Sequence, residues 1–268
     1  MRAKISNKAI VAKLARASKA GAITVPTAAQ ALDTSRREAA LKLARLAKAG
    51  WLRRAKRGLY LVLPLEVEPG RLVVAEDPWI LAREMFLPCY IGGWSAAEHW
   101  GLTEQLFRTT IVITAANVRA TSQTLLGHQF RLFRVPRSRI VDTTVWRGSE
   151  RVPVSSKERT IVDCLRNPEL AGGIRHLADM MREYGLQKDA DLGRLTETAK
   201  EIAHGAAWKR LGYLAERLWP TEEALIAEAH THITKGYTKL DPAVENEGKP
   251  RGRWRLRVNV TVPSGNEG

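Results

Sequence analysis

The chain has 268 residues, 44% of them hydrophobic and 26% charged, with a formal net charge of +15 at pH 7. That length suits two domains of ordinary size, and the apolar fraction suffices to bury a core, which excludes a largely disordered protein. No apolar run approaches the roughly 18 residues of a membrane span, the basic N-terminus has no apolar stretch behind it, and Cys89 and Cys164 share no ligand spacing, so a protein of the reducing cytoplasm is expected.

The charge is concentrated at the start. Residues 1–63 hold 15 Lys and Arg against two acids, Asp33 and Glu38, so nearly all of the excess lies in the first quarter of the chain. Such asymmetry points to an anionic polymer or surface as the partner of that segment. In residues 8–19, Val11, Leu14 and Ala15 share one helical face, with Lys13, Arg16 and Lys19 elsewhere and Gly21 as the stop. A short extended stretch at 22–25 precedes a second helix, with Pro26 in its first turn, running to about Leu32. Asp33 and Thr34 make a tight connection. Ser35 and Glu38 then form the S-x-x-E pair of a capping box, Ala39, Leu43, Leu46 and Ala47 one buried stripe, and Gly50 a left-handed stop. Residues 51–55 and 59–63 read as two strands around the turn Lys56-Arg57-Gly58.

Helix, helix, short turn, helix, hairpin is the order of a winged helix-turn-helix. In that geometry the N-terminal end of the recognition helix enters the major groove first, so Ser35, Arg36 and Arg37 are the expected base and phosphate contacts. Arginine can read guanine O6 and N7 in a bidentate way. The hairpin carries Arg53, Arg54, Lys56 and Arg57, four cations crowded about one turn and suited to phosphates or the minor groove. Double-stranded DNA is the partner these residues predict.

Residues 64–70 (PLEVEPG) hold two prolines, two acids and a glycine and read as a linker between a domain at 1–63 and another at 71–268. Beyond it, 71–75 reads as extended and Pro78 opens a helix ending before Pro88. Ser95 and Glu98 read as a second capping box, and strands are expected at 109–114, 129–135, 141–146 and 152–154. Ser155 and Glu158 suggest a third capping box. Helices follow at about 174–184, 191–204, 207–218 and 221–234, and an alternating final strand at 253–262. The expected fold class is therefore α+β: an N-terminal winged helix-turn-helix followed by a mixed α/β domain with a helical block.

Catalytic signals in the second domain are weak. The six histidines are scattered, and His230 and His232, two apart, point to different faces of a helix rather than to one metal. Ser155, Ser156 and Lys157 resemble a Ser/Lys nucleophile only in composition, since capping explains the serines. Asp142, Glu150 and Lys157 are too loosely placed for a nuclease site, and no glycine-rich phosphate loop follows a strand. No catalytic residue, cofactor or metal is expected, and the eight tryptophans read as packing residues.

Several long blocks carry a resemblance. The basic segment ending in Gly50-Trp51-Leu52-Arg53-Arg54 and Arg57-Gly58-Leu59-Tyr60 resembles the N-terminal module of type IV antitoxins, the abortive-infection E (AbiEi-type) family of transcriptional regulators. The likeness continues in YIGGWSAAEHWGLTEQ at 90–105, in VSSKERTIVD at 154–163 followed by Pro168 and Gly172-Gly173, in RLGYLAE at 210–216, and in WRLRVN at 254–259. It implies a regulator encoded beside a toxin. The N-terminal module would bind inverted repeats in its own promoter and repress the pair. The C-terminal domain would counteract a nucleotidyltransferase-like toxin, in this class often without a tight complex. The polar tail at 264–268 departs from the family pattern, and Ala40 stands where related helices place a polar or basic contact. Two alternatives stay open: a stand-alone transcription factor whose second domain binds a ligand or protein, and a DNA-targeted enzyme. A toxin-like reading frame next door separates the first from the antitoxin; a pocket lined by several carboxylates would favour the second.

Overall fold

The computed structural model describes residues 6–62, 77–141 and 143–263; the expected linker at 64–70, the extended stretch at 71–75, Asp142 and the tail at 264–268 lie outside them. The fold is mixed α+β, and the chain divides into two compact units. The first takes in residues 1–90, 108–140 and 145–153, the second 91–107, 141–144 and 154–268.

In the first unit Ser6 caps α1 (Asn7–Ala17), whose Val11 and Leu14 are wholly buried. The helix stops earlier than the charge pattern suggests, because Ser18 is extended and Lys19 pairs with Ala22 in a β-bridge. β1 (Ala22–Thr24) runs directly into α2 (Val25–Leu32), where the Thr24 hydroxyl accepts from Thr27 N and Pro26 occupies a position that needs no N–H donor. Asp33, left-handed at φ 49°, turns the chain into α3 (Arg36–Lys48). Gly50 follows at φ 79° with nothing within 4 Å of an added Cβ, so glycine serves the backbone there rather than space. β2 (Leu52–Lys56) and β3 (Leu59–Val62) form an antiparallel hairpin, and β1 lies on the far side of β3. Val11, Leu14, Ile23, Ala28, Ala39, Leu43, Leu46, Leu52 and Tyr60 close one core across these elements.

The same unit continues with α4 (Pro78–Phe86), capped by Asp77, whose carboxylate accepts from Trp79 N at 2.8 Å and Ile80 N at 3.2 Å. A four-stranded sheet follows in the order β4-β5-β7-β6, built from β4 (Cys89–Ile91), β5 (Thr109–Thr114), β6 (Ser122–Leu125) and β7 (His128–Arg134). β5 and β7 are parallel over six residue pairs. β6 was not expected, since Ser-Gln-Thr-Leu carries no apolar alternation; its pairing with β7 defines it. β8 (Thr144–Arg147) and β9 (Glu150–Pro153) make a second hairpin, starting later than 141. Glu150 lies between two cations, Lys19 at 3.0 Å and Arg83 of α4 at 2.8 Å, which hold its carboxyl below the usual range.

The second unit holds α5 (Gly93–His99), α6 (Lys157–Arg166), α7 (Ile174–Leu186), α8 (Leu192–Ile202), α9 (Gly205–Leu218) and α10 (Glu223–Thr231). A small sheet of β10 (Thr238–Lys239), β11 (Lys249–Arg251) and β12 (Leu256–Val258) has the order β10-β12-β11. Two expected caps are corrected. Ser95 lies buried inside α5, which starts two residues earlier behind extended Gly92. For α6 the cap is Ser156, whose hydroxyl accepts from Arg159 N; Ser155 instead gives its N–H to Ile91 O at 3.0 Å and its hydroxyl meets Thr160 Oγ1 at 2.7 Å. Glu158 is then buried, with the Tyr184 hydroxyl at 3.2 Å. The final strand is also shorter than 253–262, because Arg255 is left-handed at φ 48° and only Leu256–Val258 pairs.

α9 packs on α6, α7 and α10. A Cβ on Gly212 would fall 2.0 Å from the Trp254 ring, so the helix and the β12 segment meet at a distance only glycine permits. Gly212→Ala should therefore destabilise the protein by about 2 kcal/mol or more through overpacking, read as a lower urea midpoint with unchanged slope; an unaltered midpoint would mean the ring moves aside freely.

Candidate nucleic-acid interface

The seven cationic and polar residues singled out in the sequence fall on two elements of one core. Ser35 stands at the head of α3. Its hydroxyl accepts from Glu38 N at 3.2 Å while Glu38 Oε2 accepts from Ser35 N at 3.1 Å, a complete capping box. Both polar groups of Ser35 are engaged there, and Glu38, the single acid of α3, is folded back onto the cap. Arg36 and Arg37, in the first turn, are exposed. The helix end that carries them is also the positive end of the macrodipole, which favours an anion.

The β2–β3 hairpin carries the other four. Leu52 is buried while Arg53, Arg54 and Lys56 are exposed, and a bulge leaves Ala55 without a partner on β3. Arg57, also exposed, sits in the turn. Arg36, Arg37, Arg53, Arg54 and Arg57 enter no ion pair among the described residues. Lys56 differs. Its Nζ donates to Met85 O at 2.7 Å and Glu84 O at 3.3 Å, carbonyls of the last turn of α4. Partial burial lowers its pKa, opposed by the neighbouring Glu84. A helix C-terminus is the favourable place for such a cation.

The ion pairs that join Lys19 and Arg83 to Glu150 are not legible in the sequence. Nothing local to any of them signals a three-membered ion pair spanning 131 residues. Arg83 also donates from Nη1 to Arg151 O.

In the second unit the family-like blocks prove to be packing partners. Trp94 stacks on Phe107 with centroids 4.8 Å apart, and Trp100 donates its indole N–H to Ser155 O at 2.7 Å, joining the first block to the second. Arg210, wholly buried, donates to Leu165 O, Leu240 O and Lys239 O at 2.9–3.1 Å. Burial pulls its pKa to about 10 against the raising effect of Asp241. The Glu216 carboxylate accepts from the Trp254 indole, and Asn259 brackets Asp241, accepting from its N at 3.0 Å and donating to its O at 2.7 Å.

The histidines have structural tasks. His176 bridges Thr103 and Ala171 O, His204 caps α9, and His232 lies 3.0 Å from Glu228 while stacking on Trp208. Burial pushes the Cys89 thiol up to about 12, away from nucleophilic use. Among the described residues no three His, Cys, Asp or Glu side chains are grouped to hold a metal, and no helix is long and apolar enough to cross a membrane.

Residues 90–217 match the profile of the AbiEi antitoxin C-terminal domain. A solved structure titled as that of the RV2827C protein from Mycobacterium tuberculosis is similar in fold, with a TM-score of 0.60 and 21% identity over 94% of this chain and 92% of that one. No curated protein matches the sequence.

Lys56 and Arg57 provide a contrast within one hairpin. Lys56→Met should lower unfolding stability by about 1 kcal/mol through loss of the α4 carbonyl bonds, whereas Arg57→Ala should leave the urea midpoint unchanged. Equal midpoints for the two variants would show that the Lys56 bonds contribute nothing.

Proposed function

We propose, from the match of residues 90–217 to the AbiEi antitoxin C-terminal domain, that this protein is an antitoxin of that regulatory family, acting against a toxin partner, that also represses its own operon. Residues 1–63 act as a winged helix-turn-helix on promoter inverted repeats. The second domain counteracts a nucleotidyltransferase-like toxin. One observation carries the DNA-binding half: Arg36 and Arg37 at the head of α3 and Arg53, Arg54 and Arg57 on the β2–β3 hairpin are all exposed and in no ion pair among the described residues. Arg36 and Arg37 read bases, while Arg53, Arg54 and Arg57 contact phosphates and Lys56 braces the hairpin.

Replacing Arg36 or Arg37 by Ala should cost roughly 1–3 kcal/mol on the DNA upstream of its own reading frame and relax discrimination at one or two base pairs. Arg57→Ala should weaken promoter and random duplex alike and reduce the salt dependence by about one log–log unit. Fluorescence anisotropy over a salt series measures both. A loss confined to the promoter for Arg57→Ala would make the hairpin the reader of sequence.

The antitoxin half is tested on the full chain. With toxin and antitoxin both under foreign promoters, repression plays no part in rescue. Arg36→Ala and Arg57→Ala should then restore growth as well as the unaltered protein does. Failure of either to rescue would place neutralisation on the basic module rather than the second domain.

A further inference from the structure

All eight tryptophans lie in the described residues, and only Trp146, 62% accessible, is exposed. It stands on β8, and the Arg151 guanidinium of β9 lies 4.8 Å from its ring centroid. Scattered exposed leucines need no explanation, but an indole held open beneath a cation is a different object. The hairpin alternates. Val152 is buried and Val145, Arg147 and Glu150 half-buried, while Trp146 and Arg151 are exposed. Among the described residues, Glu150 is neutralised by Lys19 and Arg83, and Asp77 by Arg147 at 2.8 Å. Of the large side chains of this hairpin, the Trp146 indole and the Arg151 guanidinium face outward. Held over the ring, the guanidinium can still present N–H donors to a phosphate.

Placement decides the partner. Arg83, in the last turn of α4, holds Glu150 and the carbonyl of Arg151, while Glu84 O and Met85 O, the next two positions, hold Lys56 at the base of the β2–β3 turn. The two hairpins are thus fastened to one end of one helix, within a single compact unit. We propose that the β8–β9 hairpin is a second duplex-DNA contact beside the β2–β3 hairpin. Arg151 meets a backbone phosphate and Trp146 packs on the adjoining sugar, lengthening the footprint without reading sequence. This rests on the winged-helix reading above.

The test uses the full chain on its upstream duplex, with hydroxyl-radical footprinting and anisotropy over a salt series, comparing Trp146→Ala, Arg151→Ala and Arg57→Ala. Trp146→Ala and Arg151→Ala should each weaken binding about fivefold and remove protection at the edge of the footprint while its centre stays protected. Arg151→Ala should also lower the salt slope by about one unit. Wild-type affinity and footprint for both, with Arg57→Ala weakened, would overturn this inference and leave the winged-helix reading standing. Wild-type behaviour of all three on DNA would overturn both. Intact DNA binding together with lost toxin rescue in Trp146→Ala would assign the hairpin to a protein partner and overturn the inference as well.

Discussion

Repulsion among cations is the constraint on which the first unit is built. Residues 1–63 carry 15 basic side chains and two acids; of these acids Glu38 closes the α3 cap and Asp33 stands at the left-handed turn before that helix. Compensation comes from outside that stretch. Glu150 takes Lys19, and the carbonyl end of α4 takes Lys56. Like charges crowded on a small core destabilise it, so this neutralisation is selective. Lys19 and Lys56 are satisfied by the protein, whereas Arg36, Arg37, Arg53, Arg54 and Arg57 are exposed and enter no ion pair among the described residues.

The second unit solves a related problem with neutral acceptors. Arg210 is buried and in no ion pair among the described residues, and three backbone carbonyls from two segments accept its N–H groups. Lys209, equally buried, gives its ammonium to Gly236 O. Burial lowers both pKa values, yet satisfied donors keep the cost bounded and fix which segments meet. Removing the acceptors around β10 would leave both charges short of partners, so the α9 helix and the β10 segment form one cooperative piece.

Legibility followed locality. Ser35, Glu38 and Gly50 could be read because a cap and its partner lie three residues apart and a left-handed stop involves one residue. Arg36, Arg37 and the hairpin cations could be placed on their elements for the same reason. Ser95 and Ser155 misled, since each satisfies the S-x-x-E spacing while Gly92 and the Ile91 carbonyl decide where the helix starts. No spacing rule connects Lys19 to Glu150, Arg210 to Leu240 or Trp146 to the end of α4. The family-like blocks marked positions correctly without giving a reason for them. The reason is mutual: the RLG block and the WRLRVN block touch each other.

That mutual contact also constrains how the sequence can change over generations. Gly212 and Trp254 are 42 positions apart, yet the space one occupies is the space the other lacks. A larger residue at 212 is admissible only after the ring at 254 has shrunk, and a smaller ring leaves a void that a methyl at 212 then fills. The path is one-way in order: 254 must change first. Descendants should keep both residues or replace both, and the lineages between them pass through a cavity rather than a clash.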